Sequence, residues 1–272
     1  MSRLGFIGFG HMGSMLVKGF LKARIVEPKD IFISNRTFEK IKGLKEKWSE
    51  INIFSSNTEV AEKADYIFIS VKPYDMLSVL EEIKPFVDER TRIISLAVCV
   101  TMDAMAEVMP SIGVTRVVPS VAAEVKSGIS LICHNEFVGK DDEEYIEGLF
   151  RLISTIKVIP EEDFEAATIL TSCGPGIMAS LLQELVAAGM RVSGIGEKDA
   201  EEMVLRTVYG TAKLLFEQNM GLEEIISSVS TKGGITEEGV KVIRDEFPTH
   251  FDNVFIKTLT KSRFIQDSIS EN

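Results

Sequence analysis

Apolar positions in the first 160 residues fall into short β-branched or aromatic runs, separated by longer stretches with helical spacing. Strands are predicted over 3–7, 30–34, 51–54, 66–71, 92–96, 115–118, 128–133 and 155–159. Between them, segments 13–23, 38–47, 74–84, 102–108 and 142–153 carry the helical pattern. This alternation implies right-handed crossovers and a mostly parallel sheet with helices on both faces. After Pro160 the pattern changes. Ile177, Leu181, Leu182, Leu185 and Ala188 recur at helical spacing, as do Ala200, Met203, Val204, Val208, Thr211 and Leu215. Phe251, Val254, Phe255, Leu259 and Ile265 form a third such stripe, with Asp199 and Thr249 at expected helix starts. The acidic turn Pro160-Glu161-Glu162-Asp163 therefore joins two expected domains, 1–160 and 161–272, the second without strands. So many apolar stripes on so small a helical domain are expected to pack against a second subunit, although a self-sufficient bundle also uses them.

Composition narrows the setting. The chain has 272 residues, is 45% hydrophobic, and can bury a full core. Its formal net charge of -11 offers no basic field for a nucleic-acid backbone, so no nucleic-acid partner is expected. No apolar run is read as long enough to span a bilayer, and Leu4-Gly5-Phe6-Ile7 is too short for a signal peptide. Cys99, Cys133 and Cys173 are an odd, widely spaced set without a CxxC pair, which argues against a disulfide framework and a zinc site. The expectation is a cytoplasmic globular protein with no membrane association and no metal.

The candidate chemistry begins at Gly8-Phe9-Gly10-His11-Met12-Gly13, which follows a strand and opens a helix. Gly8 permits the tight turn, Gly10 lets the backbone approach a pyrophosphate, and Gly13 allows close helix–strand packing. The helix N-terminus offers free N–H groups to the phosphates. The end of the second strand selects the dinucleotide. A carboxylate there favours NADH, but this chain has Ser34-Asn35-Arg36-Thr37 with Lys40 beyond. Arg36 can fork onto a 2′-phosphate while Asn35 and Thr37 donate, so NADPH is expected over NADH. A solvated turn capped by Thr37 fits the same residues. Later strand ends carry Val71-Lys72-Pro73 and Ser95-Leu96-Ala97-Val98-Cys99, and should face the same crevice.

On these motifs the sequence resembles the pyrroline-5-carboxylate reductase family, whose members reduce a cyclic imine with NAD(P)H. The resemblance covers nearly the whole chain. Gly8–Gly13 matches the family's glycine turn, Ser56-Asn57 a Ser-Asn pair, and Val71-Lys72-Pro73 a Val-Lys-Pro turn. Arg116-Val117-Val118-Pro119 resembles an arginine, apolar pair and proline. Leu170-Thr171-Ser172-Cys173-Gly174-Pro175 resembles a Leu-Ser-Gly-Ser-Gly-Pro motif, while Glu184-Leu185-Val186-Ala187-Ala188-Gly189, one residue shorter between Glu and Gly, and Thr207–Lys213 resemble family helices. Thr231-Lys232-Gly233-Gly234-Ile235-Thr236 resembles the family's Ser-Pro-Gly-Gly-Thr-Thr loop, which wraps a substrate carboxylate. The resemblance implies an α/β fold: an N-terminal Rossmann-type doubly wound sheet, then an all-helical dimerisation domain. It implies cofactor contacts from Gly8, Gly10, His11, Met12, Gly13, Asn35, Arg36, Thr37, Asn57, Val71, Lys72, Pro73, Ala97, Pro119 and Ser120. Substrate contacts are implied for Gly233, Gly234, Cys173 and Glu184, with Thr236 as the catalytic hydroxyl beside the imine nitrogen.

Departures bear on the substrate. The family's Pro-Asn-Thr-Pro nicotinamide loop reads Pro119-Ser120-Val121-Ala122, Cys173 replaces serine, Ile235 replaces threonine, and Cys99 stands where glycine is usual. They are similar to a divergent branch encoded beside bacterial late-competence operons. Three histidines, His11, His134 and His250, assemble no catalytic set, so histidine acid catalysis is not expected. Cys173 before a helix is read either as a redox-sensitive thiol or as a small space-filling residue. The expected function is NADPH-dependent reduction of a cyclic imino acid, foremost 1-pyrroline-5-carboxylate to proline, by a homodimer or higher homo-oligomer. The alternatives are an oxidoreductase for another substrate, such as a hydroxy acid or a deazaflavin, and a dinucleotide-binding paralogue without turnover.

Overall fold

A computed structural model describes residues 2–270. The strands are β1 (Leu4–Ile7), β2 (Ile31–Ser34), β3 (Asn52–Phe54), β4 (Tyr66–Ile69), β5 (Arg92–Ser95), β6 (Gly113–Pro119), β7 (Gly128–His134) and β8 (Ser154–Val158). They form one sheet in the order β3-β2-β1-β4-β5-β6-β7-β8. All neighbours are parallel except β6 and β7. The short 120–127 connection cannot make the crossover that parallel neighbours require, which forces that one reversal.

Helices α1 (His11–Lys22), α2 (Glu39–Lys42), α3 (Leu44–Lys47), α4 (Asn57–Ala61), α5 (Met76–Ile83), α6 (Met102–Val108), α7 (Lys140–Arg151) and α8 (Phe164–Thr171) accompany the sheet. Alternate strand residues point to opposite faces, and both faces are apolar. Phe6, Phe68, Ile94 and Val117 bury against Leu16 and Phe20 of α1 and Phe150 of α7. Ile7, Ile67, Ile69 and Ile93 bury on the other side with Leu80, Met105 and Phe164. The sheet is doubly wound, and strand order reverses between β1 and β4. A crevice therefore opens at their carboxyl ends.

The second part holds α9 (Gly174–Val192), α10 (Glu197–Glu217), α11 (Leu222–Val229) and α12 (Ile235–Ser270). Thr249 is not a helix start. Pro248 lies inside α12, where the loss of one amide donor is carried by the long helix on either side. Residue 38–47 is likewise not one helix, because the chain breaks at Gly43 between α2 and α3.

The chain divides into two compact units. The first runs to Gly174 and takes back the C-terminal stretch from Leu259; the second is Pro175–Thr258. Phe164 is fully buried in the sheet unit, and Arg116 on β6 pairs with Glu161 at 2.7 Å and Glu165 at 2.9 Å. Ser262 in turn donates to Glu165 at 2.6 Å, and Ile269 joins the core. These contacts move α8 and the end of α12 into the sheet unit.

The expectation that no apolar run reaches bilayer length needs one correction. Among the described residues, the helical run Glu161–Val192 is long and apolar enough to cross a bilayer by length and composition alone. It carries the exposed side chains of Leu170, Met178, Leu185 and Val192. The same stripe is what a helix buried between subunits requires.

Candidate active site

The chain leaves β1 through Gly8, whose φ of +95 is in the left-handed region; a Cβ there would lie 2.4 Å from the Ser70 carbonyl oxygen. A Cβ on Gly13 would lie 2.6 Å from the Gly8 carbonyl oxygen, whereas one on Gly10 would meet nothing within 4 Å. Two glycines are thus required by the protein itself, and the third borders open space. Gly10 is the N-cap of α1, with no side-chain cap and no acidic residue in the first turn. That end of the helix carries uncompensated positive dipole and suits a phosphate. His11 stands mostly in solvent, its Nε2 3.8 Å from a Glu124 carboxylate oxygen, and Met12 packs partly against the core.

A cleft of about 440 Å³ opens beside this turn, bordered by Asn35, Arg36, Lys40, Asn57, Val71, Lys72 and the polar face of α5. Arg36 is 85% exposed and 3.9 Å from Asp75, so its guanidinium is free to turn toward a ligand. Asn35 has a different task from the one its position implies. Its Oδ1 accepts from Phe9 N–H at 2.8 Å and its Nδ2 donates to the Thr37 carbonyl at 2.8 Å. It fixes the glycine turn against the end of β2. Thr37 is exposed beside it. Asp75, Ser78, Val79 and Glu82 also border the cleft, at helical spacing along one face. Sequence reasoning missed these residues, although the i, i+3, i+4, i+7 pattern was the signal available.

Further along the strand ends, Pro73 opens a tight turn directly after Lys72. Ala97 and Ser120 are buried, and Pro119 closes β6. The Ser120 hydroxyl accepts weakly from Ala122 N–H at 3.4 Å, as the cap of the turn Val121–Val125. Cys99 has a φ of +70, which explains why glycine is usual at this position. Its thiol is 3.2 Å from Ser262 Oγ, and burial pushes its pKa up.

In the helical unit, Gly233 has a φ of +75 and its N–H donates to Glu237 Oε2 at 2.7 Å. The chain's own carboxylate therefore occupies the N–H expected to receive a substrate carboxylate. Gly234 N–H donates to the Thr231 carbonyl at 2.8 Å, and Thr236 lies half-buried in the first turn of α12. Glu184 is exposed on α9. Cys173 belongs to the sheet unit, one residue before α9. Burial, then the neighbouring Glu165 carboxylate, pushes its thiol pKa up, the reverse of the thiolate reading.

With this geometry in view, comparison with known proteins is decisive. Pyrroline-5-carboxylate reductase 3 of Bacillus subtilis is 31% identical over 272 residues, spanning 100% of this chain and 99% of that one. The chain belongs to the pyrroline-5-carboxylate reductase family. Its residues 161–265 match the profile described as pyrroline-5-carboxylate reductase dimerisation, and residues 3–99 that of coenzyme F420-dependent NADP oxidoreductase. ComE operon protein 4 of Bacillus subtilis is 30% identical, covering 95% of this chain and 94% of its own. A Plasmodium falciparum pyrroline carboxylate reductase crystallised with NADP superimposes with a TM-score of 0.84 at 26% identity, covering 97% of this chain and 98% of that chain. The Coxiella burnetii pyrroline-5-carboxylate reductase does so with 0.84 at 27%, covering 98% of each. Membership in a family with a dimerisation domain supports a homo-oligomer and accounts for Val192, Met203, Tyr209 and Phe216, all exposed in the helical unit.

Proposed function

We propose that this chain is an NADPH-dependent reductase converting 1-pyrroline-5-carboxylate to proline in the cytoplasm, assembled as a homodimer or larger homo-oligomer. The observation that carries this reading is full-length kinship with such reductases together with the open cradle at Gly10, beside which Arg36 and Lys40 stand where a carboxylate would select NADH. Gly8, Gly10, His11, Met12 and Gly13 would hold the pyrophosphate, and Arg36, Lys40 and Thr37 the 2′-phosphate, with Asn35 bracing their loops. Asn57, Val71, Lys72 and Pro73 would line the adenosine half, and Ala97, Pro119 and Ser120 the nicotinamide half. Bound, the cofactor supplies a hydride.

The chain's own part is to hold, orient and exclude water. Gly233 and Gly234 would receive the substrate carboxylate, displacing Glu237 from the Gly233 N–H. Thr236 would set its hydroxyl beside the imine nitrogen and hold the proton there. Cys173 and Glu184 would border the substrate. A second reading, dinucleotide binding without turnover, is favoured by one observation: Ser120 is buried, with its oxygen capping the turn Val121–Val125.

The test is NADPH consumption with 1-pyrroline-5-carboxylate, beside cofactor binding measured alone. Turnover is expected, and Thr236→Ala should lower it while leaving NADPH binding intact. Binding without turnover of any cyclic imine would replace the reductase with the second reading.

A further inference from the structure

Glu82 lies outside every motif of the sequence, yet it borders the cofactor cleft from α5, one turn beyond Ser78. Its Oε2 accepts a hydrogen bond of 2.7 Å from Asn57 Nδ2. At the other end of the same amide, Oδ1 accepts one of 2.8 Å from the buried Ser34 hydroxyl. These two partners are not equivalent. A hydroxyl both donates and accepts, so Ser34 tolerates either end of an amide; a carboxylate only accepts. Turning the Asn57 amide over would set its oxygen against the Glu82 carboxylate, two acceptors with no hydrogen between them. Glu82 therefore forbids that orientation.

We propose that Glu82 is a positioning residue that locks the Asn57 amide and thereby sets the preference for NADPH over NADH. One Nδ2 hydrogen is held by Glu82 and the other remains for a ligand in the cleft. A phosphate accepts only, so it pairs with an N–H and is repelled by a carbonyl oxygen. A ribose hydroxyl pairs with either. Locking the amide costs NADH nothing and keeps every molecule competent for the 2′-phosphate. Arg36 and Lys40 supply charge from the facing loop; Glu82 supplies orientation.

This role rests on the NADPH reading above, and titration of the intact protein with NADPH and NADH separates the two. Wild-type protein without a preference for NADPH refutes the parent reading and this role with it. Given that preference, the ratio of NADH to NADPH dissociation constants is expected to fall about two- to fivefold in Glu82→Gln and Glu82→Ala, because only the fraction of amides in the competent orientation binds the phosphate. In an Asn57→Ala background the Glu82→Gln change should leave the ratio where Asn57→Ala puts it, since the two residues act as one unit. Glutamine still bonds to Asn57 in either orientation, so a merely structural Glu82 predicts the wild-type ratio. A Glu82 that acts by its charge on the phosphate predicts a rise. Either result overturns the role, as does a Glu82→Gln effect that survives in Asn57→Ala.

Discussion

Ala substitution at two glycines of one motif should separate folding from binding. At Gly10 the backbone has φ -77 and ψ -163, a region open to alanine, and the new methyl meets nothing within 4 Å. Alanine is a poorer N-cap than glycine by about 0.5–1 kcal/mol, and the stiffer unfolded chain returns about 0.4–1 kcal/mol. The net change in stability is close to zero. At Gly13 the methyl falls 2.6 Å from a backbone oxygen, against 3.4 Å for ordinary contact, so about 0.8 Å of backbone must move. Overpacking of this kind costs about 1–3 kcal/mol, of which better helix propensity returns at most about 1 kcal/mol. Gly13→Ala is thus expected to lose about 1–2 kcal/mol, and Gly10→Ala none. Binding should show the reverse. A methyl at Gly10 fills the space a phosphate needs, and losing even one charge-assisted hydrogen bond, worth about 1.5–3 kcal/mol, weakens NADPH at least about tenfold. Urea melts and NADPH fluorescence titrations on the same preparations give both quantities. Wild-type NADPH affinity in Gly10→Ala would remove Gly10 from the cradle. A loss of stability equal to that of Gly13→Ala would refute the reading of open space.

Three further outcomes are expected. Arg116 is 1% exposed and pairs with Glu161 and Glu165, so Arg116→Met strands two carboxylates; Glu161 is 30% exposed and regains water, which places the expected loss near about 3 kcal/mol by urea denaturation. Adding Glu165→Gln should recover part of it, and no recovery would show that charge is not the cause. Burial holds the His134 imidazole below its usual range, against the pull of Glu143 and Glu147. The unfolded chain therefore binds a proton that the folded chain refuses, and stability should fall as pH drops from the ordinary histidine value toward the depressed one. His134→Asn should flatten that part of the melting profile; an unchanged slope would mean His134 is not its source. Glu237→Ala clears the carboxylate from the Gly233 N–H, so KM for the imino acid should fall with kcat little changed. A rise in KM would mean that Glu237 shapes the cradle instead of competing for it.

What was legible in the chain divides by how residues act. Strands buried on both faces read as apolar runs, and all eight fall within a few residues of the expected spans. Among the short helices α5 and α6 were legible but α4 and α8 were not, because α4 has only five residues and α8 is apolar on most sides, so neither shows a period. The full extent of the compact sheet unit was not legible for another reason. Arg116 and Glu165 pair across 49 residues, and no local pattern announces such a pair. The site repeats this division. Gly8, Gly10 and Gly13 act through backbone geometry, which a motif encodes directly. Asn35 was placed correctly beside the turn, yet its amide is engaged by Phe9 and Thr37, so position in a motif did not reveal which hydrogen-bonding groups remained free.

That distinction bears on how the dinucleotide is selected. The loop after β2 carries the charge that sequence reasoning relied on, but Arg36 stands largely in solvent, where a single charge–charge contact is weakly stabilising. Orientation has to come from a better-held donor. Asn57 is gripped at both ends, by a buried hydroxyl and by a carboxylate that tolerates only one face of the amide. If selection divides in this way, salt should weaken the contribution of Arg36 and leave that of Asn57, because screening acts on exposed charge and hardly at all on a fixed short hydrogen bond. A preference for NADPH that persists at high salt in wild-type protein, and vanishes there in Glu82→Ala, would separate the two contributions in one experiment.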